Sequence, residues 1–203
     1  MFLTPFTACI SGGTGTGKTE WLKRLIKYKD RLIIEPPPHI LYCYSEISPQ
    51  LIEMKKDNVE LYNGVPSKEE ILNRPKNTLL ILDDLVSEIK SDFLDLLFTR
   101  GSHHWNINII LVTQNLFYKQ VKVPRINSHY LILLKNPQGL LQTRTLGQQL
   151  FPGKLQHFLE SYADAVDYPF GYLIINMKPN ISEEMRLSTN IFPNEKPLIY
   201  LPI

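Results

Sequence analysis

The feature of the sequence that most constrains its fold is a glycine-rich segment at residues 11–19, which contains the pattern G-x-x-x-x-G-K-T. An apolar run predicted as a strand, 6–10, ends just before it, and a segment of helical periodicity, 18–28, begins inside it. Glycines let the backbone adopt positive φ and turn N–H groups inward, and the amino terminus of the following helix adds partial positive charge. The segment therefore predicts a binding loop for nucleotide phosphates. The residues of this loop are Gly12, Gly13, Thr14, Gly15, Thr16, Gly17, Lys18 and Thr19.

Two side chains at the end of this loop suit a bound nucleotide. Lys18 is expected to reach the β- and γ-phosphates from the start of the helix. The hydroxyl of Thr19 follows one residue later and is a hard oxygen ligand of the kind that Mg²⁺ prefers. A full motif in the order strand, loop, helix favours a Walker A site over a glycine-rich turn that binds nothing. It implies ATP and Mg²⁺ as ligands.

Apolar runs rich in Ile, Leu, Val and Tyr alternate along the chain with segments of helical periodicity. This pattern is typical of a mostly parallel sheet buried between helices. We therefore predict the α/β class of P-loop nucleoside triphosphatases, with a central sheet flanked by helices. Strands are expected at 6–10, 40–44, 78–82, 108–113, 130–134 and 172–177. Helices are expected at 18–28, 49–56, 68–72, 92–99, 140–150 and 154–165.

Length and composition suit one compact domain over residues 1–203, because 43% of the residues are hydrophobic and 21% are charged. The tail at 178–203 carries Pro179, Pro193, Pro197 and Pro202, so it is expected as extended chain and not as one long helix. The 22 Lys and Arg residues against 20 Asp and Glu residues give a net charge of +2. Any surface that binds a polyanion must therefore be local.

The cysteines and the apolar runs give information on the cellular compartment of the protein. Cys9 and Cys43 lie in strand-like runs without metal-ligand spacing, which indicates buried, reduced thiols and a reducing compartment. The first apolar run has no basic segment before it and leads directly into the glycine loop, so we expect no secretory signal. The longest apolar runs are too short to cross a bilayer. We expect a soluble, non-secreted protein with no membrane span.

A pair of acids follows the apolar run at 78–82. Carboxyl ends of parallel strands meet at the edge of the sheet where ligands bind, so Asp83 and Asp84 are expected beside the phosphate loop. Asp83 fits the Walker B acid that holds Mg²⁺ through water, and Asp84 is then free to polarise the attacking water. The alternative is that the acids cap the amino terminus of a helix beginning near Leu85. An N-cap explains the presence of one acid, but it explains two consecutive acids less well.

Two further polar residues are candidates for the same site. The run at 108–113 is followed by Gln114, which emerges at the same edge if this strand is parallel to 78–82. Gln114 could then sense the γ-phosphate and orient water; the alternative is an exposed loop glutamine. Arg100 ends the predicted helix between these strands, where an arginine usually only complements the helix dipole.

The segment at 116–125 combines two aromatic side chains with Lys119, Lys122 and Arg125 and contains no acid. Basic groups pair with DNA phosphates without reading sequence. A loop here, connected directly to the γ-phosphate sensor, could move with the nucleotide state and push on DNA. The alternative is a solvated basic loop whose aromatic side chains fold back on the core.

Taken together, the Walker A motif, the acidic pair, the arginine before the next strand and the Thr-Gln that ends it resemble the FtsK/HerA superfamily of DNA-pumping ATPases, whose fold is RecA/FtsK-like. Segments at 146–152, 169–176 and 186–193 look like the viral genome-packaging ATPases of that superfamily, those of poxviruses and Polinton/Maverick-type elements. The resemblance covers nearly the whole chain. Asp84 departs from it, because many relatives carry glutamate there, and the identity of the water-activating base stays open.

The resemblance implies a homo-oligomeric ring, a pentamer or a hexamer, that uses ATP to drive double-stranded DNA into a preformed capsid. A capsid or portal vertex protein is then a further partner. Arg100 is similar in position to the family's arginine finger, which reaches the ATP of the neighbouring subunit and contributes about a thousandfold or more in rate. The implied location is the virus-infected host cell or the virion vertex.

Two other P-loop classes fit the sequence less well. A nucleotide or nucleoside kinase needs a substrate acid after an early strand, for which Glu46 is available, and an arginine-rich lid, for which residues 143–145 are a thin substitute. A regulatory GTPase needs an Asn-Lys-x-Asp motif, which residues 134–137 do not provide. The kinase stays as the main alternative.

Overall fold

The computed structural model describes residues 1–202, which form eleven strands and nine α-helices. The strands are β1 (Phe2–Leu3), β2 (Thr7–Ser11), β3 (Ile33–Ile34), β4 (Ile40–Tyr44), β5 (Val59–Asn63), β6 (Leu79–Asp83), β7 (Asn108–Thr113), β8 (Tyr130–Leu134), β9 (Tyr172–Asn176), β10 (Leu187–Thr189) and β11 (Leu198–Ile199). The helices are α1 (Lys18–Lys27), α2 (Lys29–Leu32), α3 (Pro49–Met54), α4 (Lys68–Leu72), α5 (Ser91–Leu96), α6 (Ser102–His104), α7 (Lys122–Ile126), α8 (Leu140–Leu150) and α9 (Leu155–Ala165).

Nine of the strands form one sheet in the order β11-β10-β9-β8-β2-β7-β6-β4-β5. The six strands from β8 to β5 in this order are parallel, because a helical segment crosses back over the sheet between successive strands. The remaining three, β9, β10 and β11, extend the sheet by antiparallel pairing. The predicted α/β fold with a mostly parallel sheet is confirmed.

The sheet is covered on both faces, which explains why its strands are apolar along their whole length. Alternate side chains of each strand point to opposite faces, as Leu80 and Leu82 do against Leu79 and Ile81. Helices α1, α2 and α3 pack on one face, and α4, α5, α8 and α9 supply buried side chains to the other. Functional side chains are therefore confined to the edges where the strands end.

Most predicted elements have the expected bounds or differ from them by one to three residues at an end. Strand β5 was missed because it lies at the edge of the sheet, where only Val59 is fully buried and Glu60 pairs with Arg74 and His39. A half-exposed edge strand carries polar side chains that hide the apolar signal. Strands β1 and β3 were not predicted because each has only two residues, too few to give a recognisable pattern.

The segment at 116–125, predicted as a loop, is partly helical, so that prediction is wrong. A 3₁₀ turn at Lys119–Val121 leads into α7. Val121 and Pro124 are buried three residues apart, a helical spacing, and proline is tolerated because it lies in the first turn of α7. Arg100 likewise does not end its helix, because a π-helical turn at Leu97–Gly101 joins α5 to α6.

The proline-containing tail is not one long helix, in agreement with the prediction, but it forms β10 and β11 in addition to extended chain. The tail is also tied to α1. The Arg24 guanidinium lies 4.0 Å from the centroid of the Phe192 ring and pairs with Glu195 at 2.5 Å. The hydroxyl of Tyr172 donates to the other oxygen of Glu195 at 2.8 Å. The helix that follows the glycine loop is thereby anchored to the end of the chain.

Both cysteines are buried free thiols, as predicted. Burial raises the pKa of Cys9 to about 12, so this thiol is unreactive at neutral pH. Within residues 1–202, no helix combines the length and the apolar composition needed to span a bilayer.

His129, just before β8, is held neutral by its surroundings. Its Nδ1 accepts a hydrogen bond from the Thr7 backbone N–H at 3.0 Å, which fixes the ring between two parallel strands. Burial, with smaller contributions from Lys178 and His103, lowers the pKa of His129 from 6.5 to about 4. The unfolded chain therefore takes up a proton at a higher pH than the folded chain.

We expect the contribution of His129 to stability to be fully present above about pH 6.5 and to be lost as the pH falls towards about 4. Replacing His129 with Asn keeps an acceptor for the Thr7 N–H but does not titrate. The free energy of unfolding, measured by urea denaturation between these pH values, should fall more steeply for the wild type than for His129→Asn. Parallel pH profiles would contradict this account.

Candidate active site

The glycine-rich loop connects the end of β2 to the start of α1. Its backbone adopts a conformation that residues with side chains disfavour. Gly15 and Gly17 have φ of +75° and +101°, in the region that glycine adopts without strain. A Cβ at Gly12 would lie 2.8 Å from the Cβ of Leu134 on the neighbouring strand. The loop is therefore shaped both by backbone freedom and by close contact with β8.

The loop presents backbone N–H groups that have no acceptor in the protein. The N–H of Gly13 donates to the Lys135 carbonyl at 3.1 Å, and that of Thr16 to the Gly13 carbonyl at 3.4 Å. Within residues 1–202, no hydrogen bond is made by the loop N–H groups of Thr14, Gly15, Gly17, Lys18, Thr19 and Glu20. Free N–H groups in a glycine-rich loop and at a helix amino terminus are the donors that phosphates need, so the loop fits a nucleoside triphosphate.

The ammonium group of Lys18 folds back into this loop. It donates to the carbonyls of Gly12 and Gly13 at 2.8 and 2.9 Å. Burial lowers the pKa of Lys18, while the nearby carboxylates of Asp83 and Asp84 act in the opposite direction. The lysine, the loop and both acids thus form one electrostatic cluster.

The two acids lie at the carboxyl edge of the sheet but in different surroundings. Asp83, the last residue of β6, accepts a hydrogen bond from the buried Tyr42 hydroxyl at 2.6 Å. Burial raises the pKa of Asp83, and this hydrogen bond partly offsets the rise. Asp84 is exposed and has φ of +56°, a conformation that costs energy and recurs at functional sites. Helix α5 begins only at Ser91, so the alternative role as its N-cap is wrong.

Gln114 lies at the same edge, directly after β7. Strand β7 is parallel to both β2 and β6, as the prediction required. The Gln114 carbonyl accepts hydrogen bonds from Ser11 Oγ at 3.4 Å and from Asn136 Nδ2 at 3.3 Å, while its side chain is exposed. A cleft of about 540 Å³ separates this residue and Asn136 from the tip of the glycine loop. The side chain is therefore free to face a ligand held by the loop.

Ligands for Mg²⁺ are available in the same cluster. Within residues 1–202 the hydroxyl of Thr19 makes no hydrogen bond, and Asp83 has one oxygen not engaged by Tyr42. A hydroxyl and a carboxylate oxygen are the hard ligands that this ion prefers. Thr19 and Asp83 would hold the ion, which supplies neutralising charge to bound phosphates.

Arg100 lies away from this cluster. Its helix leaves the carboxyl edge at Ser91 and runs back across the sheet, so Arg100 is about 14 Å along the axis from that edge. Thr99 and His103 share a cleft with His129, which precedes β8 at the amino edge. Arg100 is exposed and makes no ion pair in the part of the chain described. It does not reach the glycine loop of this chain.

The three basic side chains of the segment at 116–125 differ in their exposure. Lys119 and Lys122 are exposed. Arg125 is partly buried, with its guanidinium 4.1 Å from the centroid of the Phe117 ring, and burial lowers its pKa. Of the two aromatic side chains, Phe117 packs against the core, as the alternative expects, whereas Tyr118 is 45% exposed. The two exposed lysines fit either a solvated loop or contacts to DNA.

Sequence reasoning missed Tyr42 and Asn136. Tyr42 resembles any apolar residue of a buried strand, and the only signal was its hydroxyl, which needs a partner when buried. The side chain and N–H of Asn136 bond to Gln114 and to the Tyr162 hydroxyl, which fixes the chain after β8 beside the glycine loop. Such a role depends on three segments that are distant in sequence.

The parallel sheet, the loop between β2 and α1 and the acids at the end of β6 define a P-loop nucleoside triphosphatase. Residues 1–133 match the family described as Poxvirus A32 protein, and the chain belongs to this family. The resemblance to the poxvirus enzyme inferred from the motifs is thereby confirmed. No curated protein matches the chain.

Solved structures share the fold. The genome packaging NTPase B204 from Sulfolobus turreted icosahedral virus 2, in complex with ATP-gammaS, is similar over 98% of each chain, with a TM-score of 0.57 and 12% identity. The KaiC-like protein PH0186 of Pyrococcus horikoshii OT3 has a TM-score of 0.50 and 14% identity over 96% of this chain and 89% of its own. The cytoplasmic domain of the Thermomonospora curvata type VII secretion ATPase EccC has a TM-score of 0.52 and 14% identity over 90% of this chain and 27% of its own. At these identities the likeness concerns the fold alone.

We expect Tyr42→Phe to weaken Mg²⁺-dependent nucleotide binding about tenfold, because Asp83 loses the hydrogen bond that orients it. Binding of a non-hydrolysable ATP analogue, titrated at a series of Mg²⁺ concentrations, measures this effect. Tyr44→Phe is the matched control, since Tyr44 lies on the same strand and its hydroxyl makes no hydrogen bond within residues 1–202. An unchanged Mg²⁺ requirement in Tyr42→Phe would show that Asp83 does not depend on Tyr42.

Proposed function

We propose that this chain is an ATPase that packages a viral genome by moving double-stranded DNA into a capsid. The observation that carries the proposal is the cluster of the glycine loop, Lys18, Asp83, Asp84 and Gln114 at one edge of the sheet. Membership of the Poxvirus A32 protein family and the fold shared with a viral genome packaging NTPase support it.

The cluster supplies the groups that hydrolysis of a triphosphate needs. The free N–H groups of the loop and the Lys18 ammonium hold the phosphates and offset charge that develops during transfer. Asp84 accepts the proton of a water that attacks the γ-phosphorus, and Gln114 orients that water. The bond from the γ-phosphorus to the β–γ bridging oxygen breaks, which leaves ADP and inorganic phosphate.

The position of Arg100 favours a ring of identical subunits. An exposed arginine at the far end of its helix from the glycine loop can stabilise transferring phosphate only in a neighbouring subunit. It lies in a π-helical turn, a feature found frequently at functional sites. A closed ring of five or six copies gives every site such a neighbour.

Lys119 and Lys122 are the proposed DNA contacts. Both are exposed on the chain that leaves Gln114, so a change at the γ-phosphate can reach them over a few residues. Contacts to phosphates suit a motor, because they carry no sequence information. Arg125 supports this segment by packing on Phe117. In the infected cell, the ring would act at a capsid or portal vertex protein.

ATP hydrolysis by the purified chain should rise when long duplex DNA is added. We expect Lys119→Ala with Lys122→Ala to remove most of this stimulation and its salt dependence, while hydrolysis without DNA is unchanged. Phosphate release, measured with and without DNA over a range of salt concentrations, tests both expectations.

Lys18→Ala is the control for this experiment, because loss of the ammonium should abolish hydrolysis under every condition. Turnover that survives Lys18→Ala would contradict hydrolysis at the glycine loop. Transfer of the phosphate to a nucleotide instead of water would favour the kinase alternative. A basal rate that DNA does not change would remove DNA translocation from the proposal.

Arg100→Ala and Asp84→Asn should each inactivate a ring made of one variant only. A mixture of the two variants should regain part of the activity, because an Asp84→Asn subunit can supply its arginine to the intact site of an Arg100→Ala subunit. Hydrolysis rates of the separate and mixed variants measure this. Failure of the mixture to exceed the separate variants would contradict an arginine acting between subunits.

A further inference from the structure

Phe170 packs against the phosphate loop although it is largely exposed and has an unfavourable backbone conformation. Its ring lies directly on Gly17, so closely that a Cβ at Gly17 would be 2.4 Å from Phe170 Cδ1. The side chain is nevertheless 55% exposed. Its φ of +61° is unfavourable for an aromatic residue, and such conformations persist where the surrounding structure enforces them. A strained, half-exposed ring thus covers the last glycine of the phosphate loop.

The chain around Phe170 is held in place by close backbone contacts. The N–H of Gly171 donates to the Tyr168 carbonyl at 2.9 Å. A Cβ at Gly171 would lie 2.4 Å from the Ala165 carbonyl oxygen at the end of α9, so only glycine fits there. Strand β9 begins at the next residue. The ring is therefore presented from a fixed turn between α9 and β9.

The order of the strands sets which part of a nucleotide Phe170 faces. The glycine loop follows β2, and the acids lie two strands away on one side, at the end of β6. Strand β9 is two strands away on the other side, and because it is antiparallel to β8 its first residue lies at the same edge. A triphosphate whose terminal phosphate points to Asp84 must extend its nucleoside towards β8 and β9.

From this geometry we infer that Phe170 stacks on the base of the bound nucleotide and so adds a nucleoside contact to the phosphate site. The inference rests on the proposed function, since it requires a nucleotide on the glycine loop. An exposed aromatic face is a sequence-tolerant partner for a base, because every base has a π-face. A side chain at residue 17 would separate the ring from the loop.

Calorimetric titration of the full chain with two ligands, Mg-ATP and Mg-tripolyphosphate, tests the inference. We expect Phe170→Ala to weaken Mg-ATP binding roughly tenfold, the effect of losing one stacking partner. Binding of Mg-tripolyphosphate, which has no base, should be unchanged. Phe170→Tyr should keep the affinity for Mg-ATP, whereas Phe170→Leu, which keeps an apolar contact with Gly17 but no aromatic face, should lose it.

Tyr168→Ala is the matched control, because Tyr168 is an aromatic residue of the same turn that is 68% exposed, whereas the three atoms nearest to a Cβ at Gly17 all belong to Phe170. Unchanged Mg-ATP affinity in Phe170→Ala overturns the inference. So does equal weakening of both ligands, which would make the ring a support for the loop, or tighter binding of both, which would make it an obstruction. If the wild type binds neither ligand, the proposed function fails first.

Discussion

The structure depends on the backbone of one loop, which leaves several N–H groups free for a ligand while both of its ends are fixed in the core. Strand β2 is buried at every position, and α1 buries Trp21, Leu22, Leu25 and Ile26, so neither element can move to relax the loop. Positive φ at Gly15 and Gly17 then becomes a requirement. The unpaired N–H groups are tolerated because a phosphate can satisfy them, and the Lys18 ammonium meanwhile pairs with two loop carbonyls.

The fold and the placement of the polar residues at one edge of the sheet could largely be predicted because each depends on local sequence. Strands such as β7 and β8 are buried on both faces, so they appear as continuous apolar runs. Parallel pairing then brings the residues after β2, β6 and β7 to one edge, whatever the details of the connections. Asp83 and Gln114 were found by this rule, since each directly follows an apolar strand.

The parts that could not be predicted depend on contacts between distant segments. Tyr42 on β4 donates a hydrogen bond to Asp83 on the neighbouring strand β6, and Arg24 forms an ion pair with Glu195 near the other end of the chain. Strand β5 carries polar side chains because it lies at an edge, and the basic segment is helical because Val121 and Pro124 reach the core. A local sequence pattern does not show which distant residue a side chain contacts. These features can therefore be identified only in the folded structure.

The separation of Arg100 from the phosphate loop has a consequence for coupling. Helix α7, which carries Lys122, packs against α5 and the π-helical turn that carries Arg100. The same segment begins just after Gln114, so Gln114, the segment that carries the exposed lysines and the helical segment that carries Arg100 are connected on a single face of the sheet. Under the proposed function, loss of the γ-phosphate in one subunit and approach of an arginine to the next act on the same short helix. Tightly packed elements move as units, so hydrolysis around a ring and movement of the DNA contacts would be linked by packing alone.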